Sequence, residues 1–348
     1  MSTDNMKEKK AKFNELFPPN KGYEYFQERD IIPIQASPIH TAWWLAESSL
    51  LAYDAPDVIK WVLRAIGAKH FQFFSWETTQ VAVFVIEEIC IVTFRGTEWG
   101  GKKGFTDLMS DLQFEMVPFL GSKNNAHVHR GFLEAFEETL DPGTGLTSYV
   151  DSLWRSGDAK QVLFTGHSLG GALATVASAF HRGRYETPGI VNEKKTAQAK
   201  TPLFTFGAPR TGNPDFISLL PEETYRFVTK GDPIPYLPPN IPGMTTDEIF
   251  YSHPPEGLHY FHNSNTLELN PQDIPKDIGE LLGTGLKATI KNAAEKAASI
   301  FVSGPESTGE RLKNFALSVI RNSNMDAHAP VLYAIYLYNS LLKQKQFY

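Results

Sequence analysis

The chain has 348 residues, 42% apolar and 21% charged, the balance of a soluble globule with a sizeable core; disorder, collagen and a coiled coil are excluded. Its 33 basic and 39 acidic residues give a formal charge of −6, which argues against a nucleic-acid partner. The single cysteine, Cys90, rules out an intramolecular disulfide and a Cys-rich metal site, and its apolar flanks make it a small core residue.

The N-terminus is charged and has no apolar run of the leader type. Stretches such as VAVFVI and PVLYAIYLY end before a membrane could be crossed. The expectation is a soluble chain without a cleaved leader; a cytoplasmic location is favoured, with a secreted mature form as the alternative. Length suggests about two domains as a prior.

In chain order, residues 1–38 read as a polar arm with little structure of its own. From Thr41 to Tyr53 the apolar spacing is that of a buried helix. TQVAVFVI and ICIVTF read as strands joined by a turn at Glu87–Glu88. A Gly-rich loop over 99–104 and a helical stretch, FTDLMSDLQF, follow. Further strands are expected at 161–166, 202–207 and 225–230, with helices at 131–140 and 171–181. Alternating strands and helices, the strands almost continuously apolar, predict an α/β fold with a mostly parallel central sheet covered by helices on both faces. The Pro-, Tyr- and His-rich stretch holding His253, His259 and His262 reads as a loop. Residues 273–325 carry two amphipathic helical patterns, the second opened by Ser307 and Glu310 as a capping box. They read as a helical hairpin inserted into the α/β core, either a packed decoration or a cap.

Residues 166–170, GHSLG, form a G-x-S-x-G between an apolar strand and a small-residue helix. In that context Ser168 sits on a strained strand-to-helix turn with its hydroxyl above the sheet. Close backbones there require Gly166 and Gly170. The first-turn amides, notably that of Leu169, face developing negative charge.

Such a serine needs a base, and the base an orienting carboxylate. Asp232 follows the strand at 225–230 and lies where α/β-sheet sites form, at a strand's carboxyl end. Asp215, Asp247 and Asp273 compete less well because no strand feeds them directly. For the base, His328, on a late loop ahead of a final helix, is preferred to His253, His259 and His262. The second oxyanion donor is expected from the loop after 89–94, where Gly96 allows a tight departure and Thr97 offers an amide and a hydroxyl. Arg95 reads as structural. Beyond it, Trp99, Phe105, Leu108 and Met109 are candidates for the apolar underside of a glycine-hinged lid, as against a plain flexible loop.

The segments TFRGT, DLMSDLQF, VHRGF, TGHSLGGALA, TFGAPRTGNPDF and TKGDPIPYLPP stand in order, and together resemble the class 3 lipase family of α/β-hydrolases. The resemblance covers roughly residues 40–265 and 325–342. It implies an α/β-hydrolase fold over the whole chain as one domain, closed when His328 returns from the far end. It also implies Ser168 as nucleophile, Asp232 as acid, His328 as base, Thr97 and the Leu169 amide as oxyanion donors, and a lid near 98–110. His253 and His129 match non-catalytic family positions. One residue separates Asp326 from His328, a small departure from the family's pattern, and the 273–325 insertion is long for it. Secreted fungal members also carry disulfides and leaders, and this chain is expected to have neither.

The expected activity is carboxylic-ester hydrolysis through an acyl-enzyme, on an acylglycerol or other fatty-acyl ester. A phospholipase A1 or acyltransferase on the same triad, and a non-catalytic lipase-like binding protein, are the alternatives. No metal or cofactor is expected. The expected partner is a lipid or small ester substrate, met at a lipid–water interface; the oligomeric state is not readable.

Overall fold

The structure is a computed structural model and describes residues 34, 35, 37–97, 115–120, 125–186, 201–240, 250–275, 317, 320 and 325–345. Helix α1 (Pro38–Leu51) opens the described fold. The Ser37 hydroxyl accepts from the His40 amide at 3.3 Å, and Pro38 takes the first helical position, where an N–H is not needed. The helix thus starts ahead of Thr41, because the cap and the proline, not the apolar spacing, set its beginning.

Helix α2 (Pro56–Ala65) leads into an antiparallel meander of β1 (Lys69–Ser75), β2 (Gln80–Ile86) and β3 (Ile89–Phe94). Glu87 and Glu88, at φ 50° and 65°, form the two-residue turn between β2 and β3. Positive φ at both positions matches the twist of the flanking strands. A short ladder of β4 (Met116–Pro118) and β5 (His127–His129) precedes α3 (Arg130–Glu137) and α4 (Leu146–Ser156). Then come β6 (Gln161–His167), α5 (Leu169–Glu186), β7 (Leu203–Phe206), β8 (Thr224–Thr229), β9 (Leu258–Asn263), β10 (Thr266–Leu269) and α6 (Pro330–Lys345).

Among the described residues the main sheet runs β1-β2-β3-β6-β7-β8-β9-β10. Strands β3, β6, β7, β8 and β9 are parallel, with antiparallel pairing toward both edges. Two apolar cores lie on its two faces. Val81, Val83 and Val85 of β2 join Val92, Phe164 and the inner residues of α3, α4 and α5. Ala82, Phe84 and Ile86 join Leu163, Phe204, Phe227 and the inner residues of α1, α2 and α6. The period of two is present in the packing but invisible in the sequence, because both faces are buried. Truncating the fully buried Phe164 to Ala should cost about 3–5 kcal/mol.

The stretch read as a loop around His259 and His262 is instead strand β9, paired with β8 and β10. LHYFHN is rich in the aromatic residues that suit a pleated, half-buried surface, a signal that the nearby prolines obscured. Residues 1–33 of the expected arm, the whole of the 98–110 lid region and most of 273–325 lie outside the described residues. Leu317 and Ile320, within the inserted segment, are helical and buried. Among the described residues no helix is long and apolar enough to cross a membrane.

Candidate active site

Parallel strands that end together place their following loops in one crevice. Thr97 follows β3, Ser168 follows β6 and Asp232 follows β8, all at carboxyl ends of the sheet. His328 closes a turn of 3-10 helix, Met325–His328, just ahead of α6.

Ser168 has φ 58°, the strained conformation expected between a strand and a helix. Its amide donates to the Phe206 carbonyl at 2.9 Å, which anchors the turn to β7. A Cβ on Gly166 would stand 2.3 Å from the Gly170 carbonyl group. One on Gly170 would stand 2.2 Å from the Phe94 carbonyl oxygen and 2.9 Å from the Gly96 nitrogen. The start of α5 therefore rests directly on the departure of β3, and this contact brings the Gly96–Thr97 loop to the serine. The Ser168 hydroxyl and the Thr97 hydroxyl are both buried and hydrogen-bond to nothing among the described residues. Buried polar atoms are rarely left so. Here one belongs to the residue just ahead of α5 and the other to the residue just after Gly96, whose nitrogen lies close to Gly170 in the first turn of α5.

Asp232 and His328 are both 0% exposed. His328 Nδ1 donates to Asp232 Oδ2 at 2.8 Å, and this fixes Nε2 as the basic nitrogen of the neutral ring. The same Oδ2 accepts the Tyr333 hydroxyl at 2.6 Å, and Oδ1 accepts the Ile234 amide at 2.9 Å. Burial, then the Asp232 charge, pushes the Tyr333 phenol well above its ordinary value, so it remains a donor. Gly207, at φ 58°, makes room for the group. A Cβ there would lie 2.7 Å from Asp232 Oδ2, 2.8 Å from the Tyr333 hydroxyl and 2.9 Å from His328 Nδ1.

A second histidine supports the first. His167 Nε2 donates to the His328 carbonyl at 2.7 Å, and His167 Nδ1 accepts from the Tyr53 hydroxyl at 2.9 Å. Burial, the largest cause, holds His167 well below its usual pKa and therefore neutral, and a proton on the neighbouring His328 would act in the same direction. Tyr53 is in turn raised by burial and lies under the Arg95 guanidinium at 5.9 Å. Arg95 also donates to the Gln80 side chain at 2.7 Å, the structural role expected of it.

The other histidines stand apart from this cluster. His253 donates to the Pro235 carbonyl at 2.7 Å, and His259 stacks on Phe227 with ring centroids 4.6 Å apart. His262 pairs with Glu268 in β10. His129 is buried against Phe132, and desolvation lowers its pKa to about 3. Asp215 lies in the first turn of a short helix, Pro214–Ile217, that Asn213 caps, and Asp247 lies outside the described residues, as do the lid candidates Trp99, Phe105, Leu108 and Met109. Among the described residues, no cluster of three or more His, Cys, Asp or Glu could hold a metal ion. Sequence reasoning missed Tyr53, His167, Gly207 and Tyr333. The signals were present: His167 inside the elbow motif, Gly207 ending an apolar strand and Tyr333 one turn into the last helix.

Residues 91–241 match the family model described as lipase (class 3). The chain is 36% identical over 119 residues to the secreted mono- and diacylglycerol lipase 1 of Fusarium solani, covering 33% of this chain and 31% of that one. It is 31% identical over 157 residues to a lipase of Rhizopus niveus, covering 44% of this chain and 36% of that one. The chain thus spans about a third of the length of these curated relatives. The crystal structure of the lipase from Rhizopus microsporus var. chinensis superposes with a TM-score of 0.51 at 21% identity, over 76% of this chain and 93% of that one. That likeness shows the α/β-hydrolase fold. The similarity of this chain to the class 3 lipase family thus lies in residues 91–241, the stretch that holds Thr97, Ser168 and Asp232.

Proposed function

We propose that this chain is a serine carboxylic-ester hydrolase that cleaves fatty-acyl glycerol esters through an acyl-enzyme. The observation that carries the reading is the buried His328–Asp232 hydrogen bond at 2.8 Å, set beside a serine held at φ 58° on a strand-to-helix turn. The relative from Fusarium solani, by its name, acts on mono- and diacylglycerols, which supports the substrate class.

In this reading the Ser168 hydroxyl attacks the ester carbonyl carbon and its proton passes to His328 Nε2. Asp232 stabilises the imidazolium that forms. Tyr333 and the Ile234 amide keep its carboxylate from rotating. The Thr97 hydroxyl and the Leu169 amide bind the oxyanion, each worth about 3–4 kcal/mol of barrier by analogy with measured donors. Collapse of the tetrahedral intermediate breaks the bond to the alcohol oxygen, which leaves with the proton from Nε2. Water, deprotonated by the same nitrogen, then attacks the acyl-enzyme and regenerates Ser168 with release of the fatty acid. His167 does not compete as a base, because its two nitrogens are engaged by His328 and Tyr53.

The test is release of fatty acid from mono- and diacylglycerol emulsions by the parent and by Ser168→Ala. The expected result is turnover by the parent and at least a thousandfold loss in a normally folded variant. Equal turnover by Ser168→Ala would overturn the assignment. Phosphatidylcholine in the same assay decides whether glycerol esters or phospholipids are the better substrates.

A further inference from the structure

Tyr53 lies just past the end of α1, where its amide donates to the Leu50 carbonyl at 3.2 Å. Its hydroxyl is seated between two parts of the site. It is 2.9 Å from His167 Nδ1, and a Cβ on Gly96 would overlap it while standing 2.6 Å from the His167 carbonyl oxygen. Gly96 is thus bare on the side that the phenol occupies. The proton positions follow from the acceptors. The His328 carbonyl can only accept, so the neutral His167 ring carries its proton on Nε2, 2.7 Å away. Nδ1 is then an acceptor, and the Tyr53 hydroxyl is its only hydrogen-bond donor among the described residues. Burial raises the Tyr53 pKa, and Arg95 offsets only part of the rise, so the donor keeps its proton.

The way His328 is held makes this contact matter. Its ring is tied to Asp232 through Nδ1, and rotation about that bond would carry Nε2 off line. Its turn, Met325–His328, arrives from the far end of the chain and is fixed through its backbone: the Thr229 hydroxyl donates to the Ala327 carbonyl, and His167 donates to the His328 carbonyl. The His167 ring holds that carbonyl only while it does not rotate, and bonds on both of its nitrogens prevent rotation. We propose that Tyr53 is a positioning residue for the base: its hydroxyl keeps His167 Nε2 aimed at the His328 carbonyl, and so fixes the turn from which the His328 ring serves Ser168. The proposal rests on the reading of His328 as the base.

Tyr53→Phe keeps the ring and removes the hydroxyl. Hydrolysis of p-nitrophenyl butyrate by the full chain should show kcat lower by about tenfold or more, where a misplacement of about 1 Å costs about 100-fold, with KM within about twofold. With isotope-labelled histidine, NMR should show the His167 Nε2 proton exchanging with solvent at least tenfold faster in the variant, a change that lost packing elsewhere would not bring. His167→Gln supplies an amide that can hold the same carbonyl. In that background Tyr53→Phe should alter kcat less than threefold, so the two substitutions are not additive. A Tyr53→Phe chain with kcat within threefold of the parent would overturn the proposal, as would an unchanged exchange rate. Equal losses with and without His167 would also overturn it, since the phenol would then act on the Gly96 loop instead. A parent that hydrolyses no ester would sink the reading of His328 as base, while the exchange rate would still decide whether Tyr53 holds the ring, so the two fail separately.

Discussion

Gly207→Ala is the most informative substitution in the Asp232–His328 cluster. The new Cβ would stand 2.7 Å from Asp232 Oδ2 and 2.9 Å from His328 Nδ1, where ordinary contact begins near 3.4 Å. Relief therefore needs shifts of about 0.5–0.7 Å in groups that are fully buried and hydrogen-bonded to one another. A misplacement of 1 Å costs about 100-fold in rate, so a 10- to 100-fold fall in kcat/KM is expected. The stability loss has two parts. A left-handed alanine at φ 58° costs about 1–2 kcal/mol, and overpacking adds about 1–3 kcal/mol. Gly67→Ala isolates the first part: that glycine is also left-handed, at φ 84°, but nothing lies within 4 Å of its Cβ position. The assay is p-nitrophenyl butyrate hydrolysis, with urea unfolding of both variants to separate rate from stability. A folded Gly207→Ala protein with kcat/KM within threefold of the parent would refute the reasoning, as would equal activity losses in the two variants.

Other substitutions probe single contacts. Tyr333→Phe removes the 2.6 Å bond to Asp232 and should cost about 1.5–3 kcal/mol in urea unfolding, with roughly tenfold lower kcat and little change in KM. Thr97→Val keeps the shape but removes the hydroxyl donor; steady-state kinetics should show a fall of about 100-fold in kcat, with KM nearly constant. His129 gives a pH signature. Its folded pKa, about 3, lies below the unfolded value near 6.5, so the unfolded chain binds the proton first and stability is lost as pH falls below 6.5. Between pH 7 and 5 this one residue should remove about 2 kcal/mol, read from urea midpoints, and His129→Phe should flatten that slope. His167 and His253, held down by burial in the same way, act in the same direction.

The sequence made the site more legible than its support. Ser168, Gly166 and Gly170 were readable because the elbow is a local constraint: three neighbouring residues must clear one another's backbones. Asp232 and Thr97 were readable because each follows directly on an apolar strand. His328 was harder, since it lies 96 positions beyond Asp232 in the chain and meets it only through tertiary packing. Tyr53, Gly207 and Tyr333 were missed for the same reason, their partners being distant in sequence and joined by packing alone. Strand β1 was missed because it is an edge strand with a mostly exposed face, and β9 because its aromatic run sits among prolines. The alternation in β2 could not show, since Val83 and Phe84 are equally buried on opposite faces.

The central claim, that Ser168 is the activated nucleophile of this chain, is tested most directly by a fluorophosphonate probe followed by intact-mass and peptide mapping. The account predicts one phosphonyl group per chain, bonded to the Ser168 Oγ, with labelling slowed at least a hundredfold in Asp232→Asn and abolished in Ser168→Ala. A chain that stays unlabelled, or a label that persists in Ser168→Ala, would contradict it.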